Sequence, residues 1–499
     1  MSSPLTNQKA VPCFIFSSII LLAAALRFYD LGGESYWYDE IIMVHVAQAD
    51  LSSILHGGRP PVYVVLAHFW IRLFGTSEEA TRSLSALAGV LCIPIIYLIG
   101  RRLFSRNVGI ISAFLMAISQ FQIYYSQDFR YYSLFVLMTL LSYYFFVIAL
   151  RNKNIGNFIL YVVFSVLLFF THTFGLFVIA AQNLYFLIRW RCHRNLAIHW
   201  IISQAIILLA IMPKILASLG KVAEGKAGPM NWLPEPSAWS PLITLRNFIG
   251  AGLDYPSLKT LIIGISFFAV ATGAYILWTG KEQWRANLGD LLSGFTNMMS
   301  KGNELLLLVL WITIPILLPL VLSKIFGPMY HDRYMISASP AFYLILAFLI
   351  TKLGSVVPES ITLGLLVIVI TPGLFEFYVS PVREQWREAA RYVEDNSTID
   401  DVIIFADSGR GQNRRTFNWY YKGDLSECGI NEHLKHYAAI DGEFVKCMKD
   451  TGRFWLVVRE VPRPVPYITG FFLNNRNGNI KLVKERRFTK ITVYLFQIM

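Results

Sequence analysis

Tyr36–Pro61 reads YWYDEIIMVHVAQADLSSILHGGRPP. One apolar run ends just before it and another follows it, so the stretch should leave a membrane face and return to it. Asp39 and Glu40 stand side by side behind Tyr36, Trp37 and Tyr38, and the stretch closes on Arg59-Pro60-Pro61. A plain connector between two helices has no need of such a density of charge and aromatic surface. The stretch is therefore read as half of a functional site, with the rest of the chain supplying the other half.

Composition supports the membrane setting. The 499 residues are 55% hydrophobic and 15% charged, with mean hydropathy +0.49, whereas soluble proteins carry about 25% charged residues. Apolar runs of the length that crosses a bilayer recur from end to end. The chain is read as a polytopic α-helical membrane protein with about eleven crossings. Its net charge of +12 fits basic cytoplasmic loops and anionic lipid better than nucleic acid. Lys9 followed by Val11 to Leu26 has the look of a signal peptide, but no small-x-small cleavage site follows, so it is read as an uncleaved first helix. Five cysteines show no metal-ligand spacing. Only Cys428 and Cys447 share a soluble segment, where either a disulfide or two free thiols fits.

The crossings are expected at 11–28, 83–100, 108–125, 131–150, 157–174, 175–189, 197–213, 258–279, 304–322, 335–351 and 360–378. Short interfacial helices are expected at 41–49 and 62–74. A long Gly-, Pro- and Trp-rich loop containing 225–232 follows the seventh crossing. Counted alternately from a cytoplasmic N-terminus, the inner loops are 101–106, 151–156, 189–196, 280–303 and 352–358. The short ones carry RRLFSR, RNK and RWRCHR, as the positive-inside tendency expects. Asp39, Glu40, Asp128, Arg130, His172, Lys324 and Arg333 then all fall on the outer face. Residues 1–380, with the outer loop 28–82, form the membrane domain. Residues 381–499 form a soluble α/β domain outside the cytoplasm, with a helix from Arg383, strands at 401–406 and 453–459, and a final strand pair at 480–483 and 489–496. Asp407-Ser-Gly-Arg-Gly is a weak approach to a phosphate loop.

Each candidate has a structural and a functional reading. Asp39-Glu40 suits the first turn of a helix, where acids meet the positive end of its dipole. Equally, a carboxylate partly desolvated by aromatics suits a general base. Asp128 in YYSQDFRYYSLF reads either as an N-cap with Arg130 snorkelling, or as a second acid and a fixed guanidinium for a phosphate-bearing substrate. The surrounding tyrosines form an aromatic belt or a sugar-stacking wall. His172 in FFTHTFG is by default a hydrogen-bonded interfacial histidine. Arg333 in HDRYMISASP opens an apolar helix, where an ionic group often marks a substrate path and arginine grips phosphate in bidentate fashion.

YWYDE after the first helix, the Pro-Pro pair, SQDFRYYSL after the third helix and Arg333-Tyr334 opening a late helix occur here in one order. Together they resemble the GT-C class of membrane glycosyltransferases, in the protein-mannosyltransferase and aminoarabinose-transferase branch. REQWREAARYVEDN is similar to the start of the soluble tail of many members. The resemblance implies an inverting transfer of a sugar from a polyprenyl-phosphate donor to a hydroxyl on protein, lipid or glycan, at the outer face of the plasma or inner membrane. Asp39 would be the base, and Arg333, with Arg130 or Lys324, would hold the leaving phosphate. Glu40, Asp128, His172 and Tyr334 would contribute to substrate binding. No cofactor is required. A divalent metal stays open, with Asp39, Glu40 and Asp128 as oxygen ligands. Where many members carry His-Pro-Pro this chain has Arg59-Pro60-Pro61, so no role passes to that position. A transporter or flippase would place its charges nearer the midplane on paired broken helices, and a lipid-binding scaffold would bind without transfer.

Overall fold

The computed structural model describes residues 7–57, 59–223, 233–249, 303–353, 355–407, 411–431, 434, 436–448, 452–460, 467–474 and 479–499. The eighth expected crossing, the inner loop 280–303 up to residue 302, positions 225–232 and Ser408–Arg410 lie outside them. The chain divides into two compact units: Met1–Tyr29, Ala49–Phe74 and Thr81–Glu376 form the first, and Asp30–Gln48, Gly75–Ala80 and Phe377–Met499 the second.

Among the described residues, six helices are long and apolar enough to cross a membrane: Glu78–Leu103, Tyr132–Asn152, Trp190–Ser218, Glu304–Phe326, Asp332–Thr351 and Val356–Val379. The third expected crossing departs from a single rod. It breaks into Arg106–Ile118 and Gln120–Ser126, bent by 61°. Neither Pro nor Gly causes the break. Ser119 adopts an extended backbone and its hydroxyl caps the second piece by accepting from Gln122 N, while also bonding Tyr343 Oη at 2.8 Å. The carbonyls freed at the end of the first piece are met by Arg27, wholly buried, whose Nη1 and Nη2 donate to Ala117 O at 2.9 Å and Met116 O at 3.0 Å. A cation at a helix C-terminus is favoured by the dipole, which offsets its burial. The shorter apolar helices Phe14–Phe28, Pro61–Phe74, Ile155–Thr171 and Gly175–Ile188 complete the described apolar set, and Asp332–Ala338 winds as a 3-10 helix before the α-helix Ser339–Thr351.

With lipid as solvent, helices associate through close packing and interhelical hydrogen bonds. Both are present in the first unit. Gly100 and Gly109 face each other so tightly that a Cβ on Gly109 would lie 2.6 Å from Tyr97 O and 3.1 Å from Arg101 N. Backbone cannot swing aside as a side chain can. Gly109→Ala is therefore expected to destabilise the protein by about 1–3 kcal/mol, the cost of overpacking, read as a lowered melting midpoint of the full chain in detergent; an unchanged midpoint would refute this packing. Deeper in the bundle, Ser142 bonds Ser165 at 3.0 Å and receives Gln182 Nε2 at 3.0 Å, Tyr161 Oη donates to Gln182 at 3.2 Å, and Asn183 donates to Gln204 at 2.9 Å. These bonds join four helices.

The helix ends assigned to the inner face meet one another. Arg151 donates to Arg102 O and pairs with Glu304 at 2.8 Å, and Phe104 packs on Phe348, 4.6 Å between rings. The expected loops 101–106 and 151–156 thus share one end of the bundle with the close of the Ser339–Thr351 helix.

The second unit carries a five-stranded sheet: β1 Val402–Asp407, β2 Ser426–Asn431, β3 Arg453–Arg459, β4 Ile480–Phe488 and β5 Ile491–Ile498. Their spatial order is β2-β1-β3-β5-β4, with β1 parallel to β2 and β3, and β5 antiparallel to β3 and β4. Side chains alternate across each strand, so Ile403, Phe405, Trp455 and Val457 pack with Trp386, Ala390 and Phe417 on one face. Ile404, Ala406, Phe454 and Leu456 pack with Ile440, Phe444 and Phe472 on the other. The central strands β1, β3 and β5 are buried on both sides in an α/β/α sandwich, while the edge strand β4 is largely exposed. The expected strands are present. The polar strand β2 and the helices Gln412–Tyr420, Tyr437–Cys447 and Tyr467–Leu473 escaped the sequence reading. Cys428 and Cys447 form a disulfide with Cα atoms 5.6 Å apart.

Candidate functional site

The two acids of the opening stretch belong to the second unit and differ from each other. The helix Tyr38–Gln48 carries both in its first turn. Glu40 points inward and is fully buried. Its Oε2 accepts from the Trp37 backbone N–H at 3.4 Å, the return half of a capping box, and its Oε1 pairs with Arg383 at 3.3 Å. Asp39, one residue earlier and turned by about 100° around the helix, stays half-buried. The helix-cap reading thus describes Glu40. Tyr36 is buried with its hydroxyl on Thr76 O at 3.0 Å.

The first unit assembles a cationic and aromatic cluster. Asp128 is buried at 2% exposure. It does not cap the following helix, since Tyr131 stands at the cap position. The loop it occupies is held by the Pro61–Phe74 helix, whose Tyr63 bonds Ser85 at 2.7 Å, and Ser85 donates to Arg130 O at 3.1 Å. Arg130 lies over the Tyr131 ring at 4.8 Å and donates to its hydroxyl at 3.2 Å. Arg333 lies over Tyr334 at 5.3 Å and over Tyr132 at 6.0 Å. His172 ties these pieces together: its ring is 5.1 Å from Tyr131, 5.3 Å from Tyr334 and stacked 4.8 Å from Phe135. Aromatic faces attract and orient guanidiniums. Lys324 differs from this cluster in character, exposed and 3.6 Å from the still more exposed Glu235. Arg59 is exposed.

His172 is pushed down to about 3, first by burial and then by the charges of Arg130 and Arg333. His331 is also pushed down to about 3, by burial and by Arg333. Both rings are neutral at physiological pH, so the cluster's positive charge resides on its guanidiniums. The Phe174 backbone N–H donates to His172 Nδ1 at 3.1 Å, which puts the ring proton on Nε2. A histidine free in the unfolded chain titrates near 6.5. Between these values the unfolded state binds a proton that the folded state refuses, so stability rises with pH and is lost as pH falls below about 6.5, by at most about 1.4 kcal/mol per pH unit for each histidine. His172→Gln should remove one proton's share of that slope. Melting midpoints of the two proteins between pH 4 and 7 check it, and parallel curves would refute it.

Among the described residues no group of three or more His, Cys, Asp and Glu side chains is arranged to hold a metal. Of the three acids considered as ligands, Glu40 faces the Arg383 cation, which opposes a second positive charge.

Sequence reading missed the groups that hold the Asp39 helix: Glu34, Glu78, Arg383, Arg387 and Tyr420. Asp332 was quoted only as part of a motif. It accepts from Thr244 Oγ1 at 2.8 Å and from Asn247, and so docks the helix Ser240–Ile249 beside Arg333. The one available signal was the pair Arg383 and Arg387 in an otherwise amphipathic helix start.

Residues 58–216 match the family model for dolichyl-phosphate-mannose-protein mannosyltransferase. That stretch includes Asp128, Arg130 and His172, and leaves out Asp39, Glu40, Lys324, Arg333 and Tyr334. No curated protein matches the sequence. Among solved structures, apo ArnT from Cupriavidus metallidurans is similar at 11% identity and TM-score 0.54, over 99% of this chain and 98% of that one. The apo oligosaccharyltransferase of Archaeoglobus fulgidus is similar at 12% identity and TM-score 0.55, over 90% and 69%. So is AglB from Archaeoglobus fulgidus in complex with an inhibitory peptide and a dolichol-phosphate, at 13% identity and TM-score 0.52, over 91% and 70%. The chain has the GT-C fold of the membrane glycosyltransferases, with a mannosyltransferase family match running through residues 58–216.

Proposed function

We propose that the protein is an inverting glycosyltransferase that moves a sugar from a polyprenyl phosphate to an acceptor hydroxyl. The observation that carries the reading is the pair of guanidiniums, Arg130 and Arg333, set on a shared aromatic wall around the neutral His172. Planar guanidiniums match phosphate oxygens in bidentate geometry. The family match and the dolichol-phosphate bound by a protein of the same fold support a lipid phosphate as their ligand.

Asp39 takes the proton of the acceptor hydroxyl while its oxygen attacks the anomeric carbon. The bond to the phosphate oxygen breaks and its electron pair leaves with the polyprenyl phosphate. One displacement inverts the configuration. The leaving group is already a stable anion, so it needs charge stabilisation rather than a proton, and Arg333 with Arg130 supplies it. Tyr334 and His172 wall the donor, Asp128 helps to position donor or acceptor, and Lys324 draws anionic lipid phosphate towards the surface. Glu40 acts on the helix rather than on substrate. Eleven crossings would put the sheet-bearing tail outside the cytoplasm, and the Cys428–Cys447 disulfide fits an oxidising compartment.

The test is transfer of radiolabelled sugar by the purified full chain in detergent, from a panel of undecaprenyl- and dolichyl-phosphate sugars to a membrane extract. Label in a product with inverted anomeric configuration supports the reading. Donor binding without transfer, by wild type and Asp39→Asn alike, would make the protein a lipid-binding scaffold instead.

A further inference from the structure

The segment entering the Trp386–Asn396 helix grips the stretch that carries Asp39. Arg383 is buried, with Nε 3.2 Å from Glu34 Oε2 and Nη1 3.3 Å from Glu40 Oε1. Glu34 Oε1 also accepts the backbone N–H of Val382 and that of Arg383, the latter at 3.0 Å. One turn on, Arg387 donates to Gly32 O at 3.2 Å and to Glu78 Oε1 at 2.7 Å. Its backbone N–H donates to Ser35 Oγ, which donates to Glu388, both at 3.1 Å. The Gln412–Tyr420 helix adds a third hold: Tyr420 Oη accepts the Tyr36 backbone N–H at 2.6 Å and donates to Glu78 Oε1 at 2.7 Å. Trp419 lies edge-on to Tyr36 and His45. Residues 32–36 before Asp39 and Glu40 after it are therefore all tied to the sheet-bearing part of the same unit.

A helix cap alone would need only Glu40 and a backbone amide. Two arginines, a tyrosine and four carboxylates, drawn from four separate parts of the sequence, are far more than that. They fix the backbone on both sides of one half-buried acid.

We propose that Arg383, Arg387 and Tyr420 are positioning residues for catalysis, and that the C-terminal part of the chain holds the Asp39 helix in the geometry the transfer needs. This rests on the reading of Asp39 as the base. A base acts only within hydrogen-bond reach of the proton it takes, and a misplacement of about 1 Å costs on the order of 10²-fold. Loosening the hold should therefore lower kcat and leave donor binding intact.

The experiment uses the full chain in nanodiscs and two readouts, hydrogen exchange of the Trp37–Ile42 amides and transfer kinetics with the donor that wild type turns over. Arg383→Gln and Arg387→Gln should speed exchange of those amides and lower kcat about 10²-fold with unchanged donor KM. Arg383→Lys should recover part of the loss. Arg387, more exposed than Arg383, keeps the test available if Arg383→Gln does not fold. Arg453→Gln is the control: it breaks the Arg453–Asp401 pair at 3.1 Å in the same unit and should lower the melting midpoint with kcat unchanged. Unchanged exchange at Trp37–Ile42 would overturn the proposal, as would a kcat loss no larger than that of Arg453→Gln at equal loss of midpoint. A wild type that transfers no sugar would refute the functional reading instead, and the exchange arm would still decide whether the hold exists.

Discussion

Asp39→Asn should lower kcat by about 10²–10⁴-fold, the contribution of a positioned general base. It should do so without loss of fold. Asparagine keeps the shape of the side chain, the position is half-buried, and the lost charge–dipole term in the first helical turn is about 0.3–1 kcal/mol. The neighbouring acid gives the opposite phenotype. Glu40→Gln leaves Arg383 facing an amide in a buried site, so it should cost about 1–3 kcal/mol of stability and affect turnover only through the helix it anchors. Sugar transfer and melting midpoint, measured on both variants, separate the two roles. Full turnover by Asp39→Asn would remove Asp39 from the mechanism.

Arg333 carries the second large effect. Arg333→Gln should lower kcat by about 10²–10³-fold, the range seen when one stabiliser of transition-state charge is lost. Arg333→Lys should recover only part. A lysine keeps the charge but loses the planar fork that lies over Tyr334 and Tyr132 and can no longer bind phosphate through two parallel bonds. The local histidines cannot substitute, because both are held neutral. A donor titration of kcat and KM for the three proteins checks this. Lysine equal to arginine would mean that a point charge is enough, and glutamine equal to arginine would place the leaving phosphate elsewhere.

Much of the architecture was legible in the residues because it follows from local hydropathy. An apolar run of bilayer length has few alternatives to a helix, and continuously apolar strands such as Val402–Ala406 and Phe454–Val458 announce sheet strands buried on both faces. The break at Ser119 was not legible. Nothing in MAISQFQIYY forbids a continuous helix, and the bend depends on Tyr343 and Arg27, both distant in sequence. Strand β2 was missed for a related reason: Ser426–Asn431 is polar, and it is a strand because β1 lies beside it.

The sequence by itself determined the membrane class, the order of the helices, the α/β tail and which loops carry charge, since each depends on residues close together in the chain. It also singled out Arg130, His172, Arg333 and Tyr334, which the fold brings onto one aromatic wall. Only the tertiary structure separated Asp39 from Glu40. Adjacent carboxylates look alike in a sequence, and what distinguishes them is burial against Arg383, a residue 343 positions away. Likewise the Cys428–Cys447 pairing required the helix Tyr437–Cys447 to fold back beside β2. Long-range packing decides which polar groups lose water, and in this chain it buries Glu40 against Arg383 and leaves Asp39 half-buried.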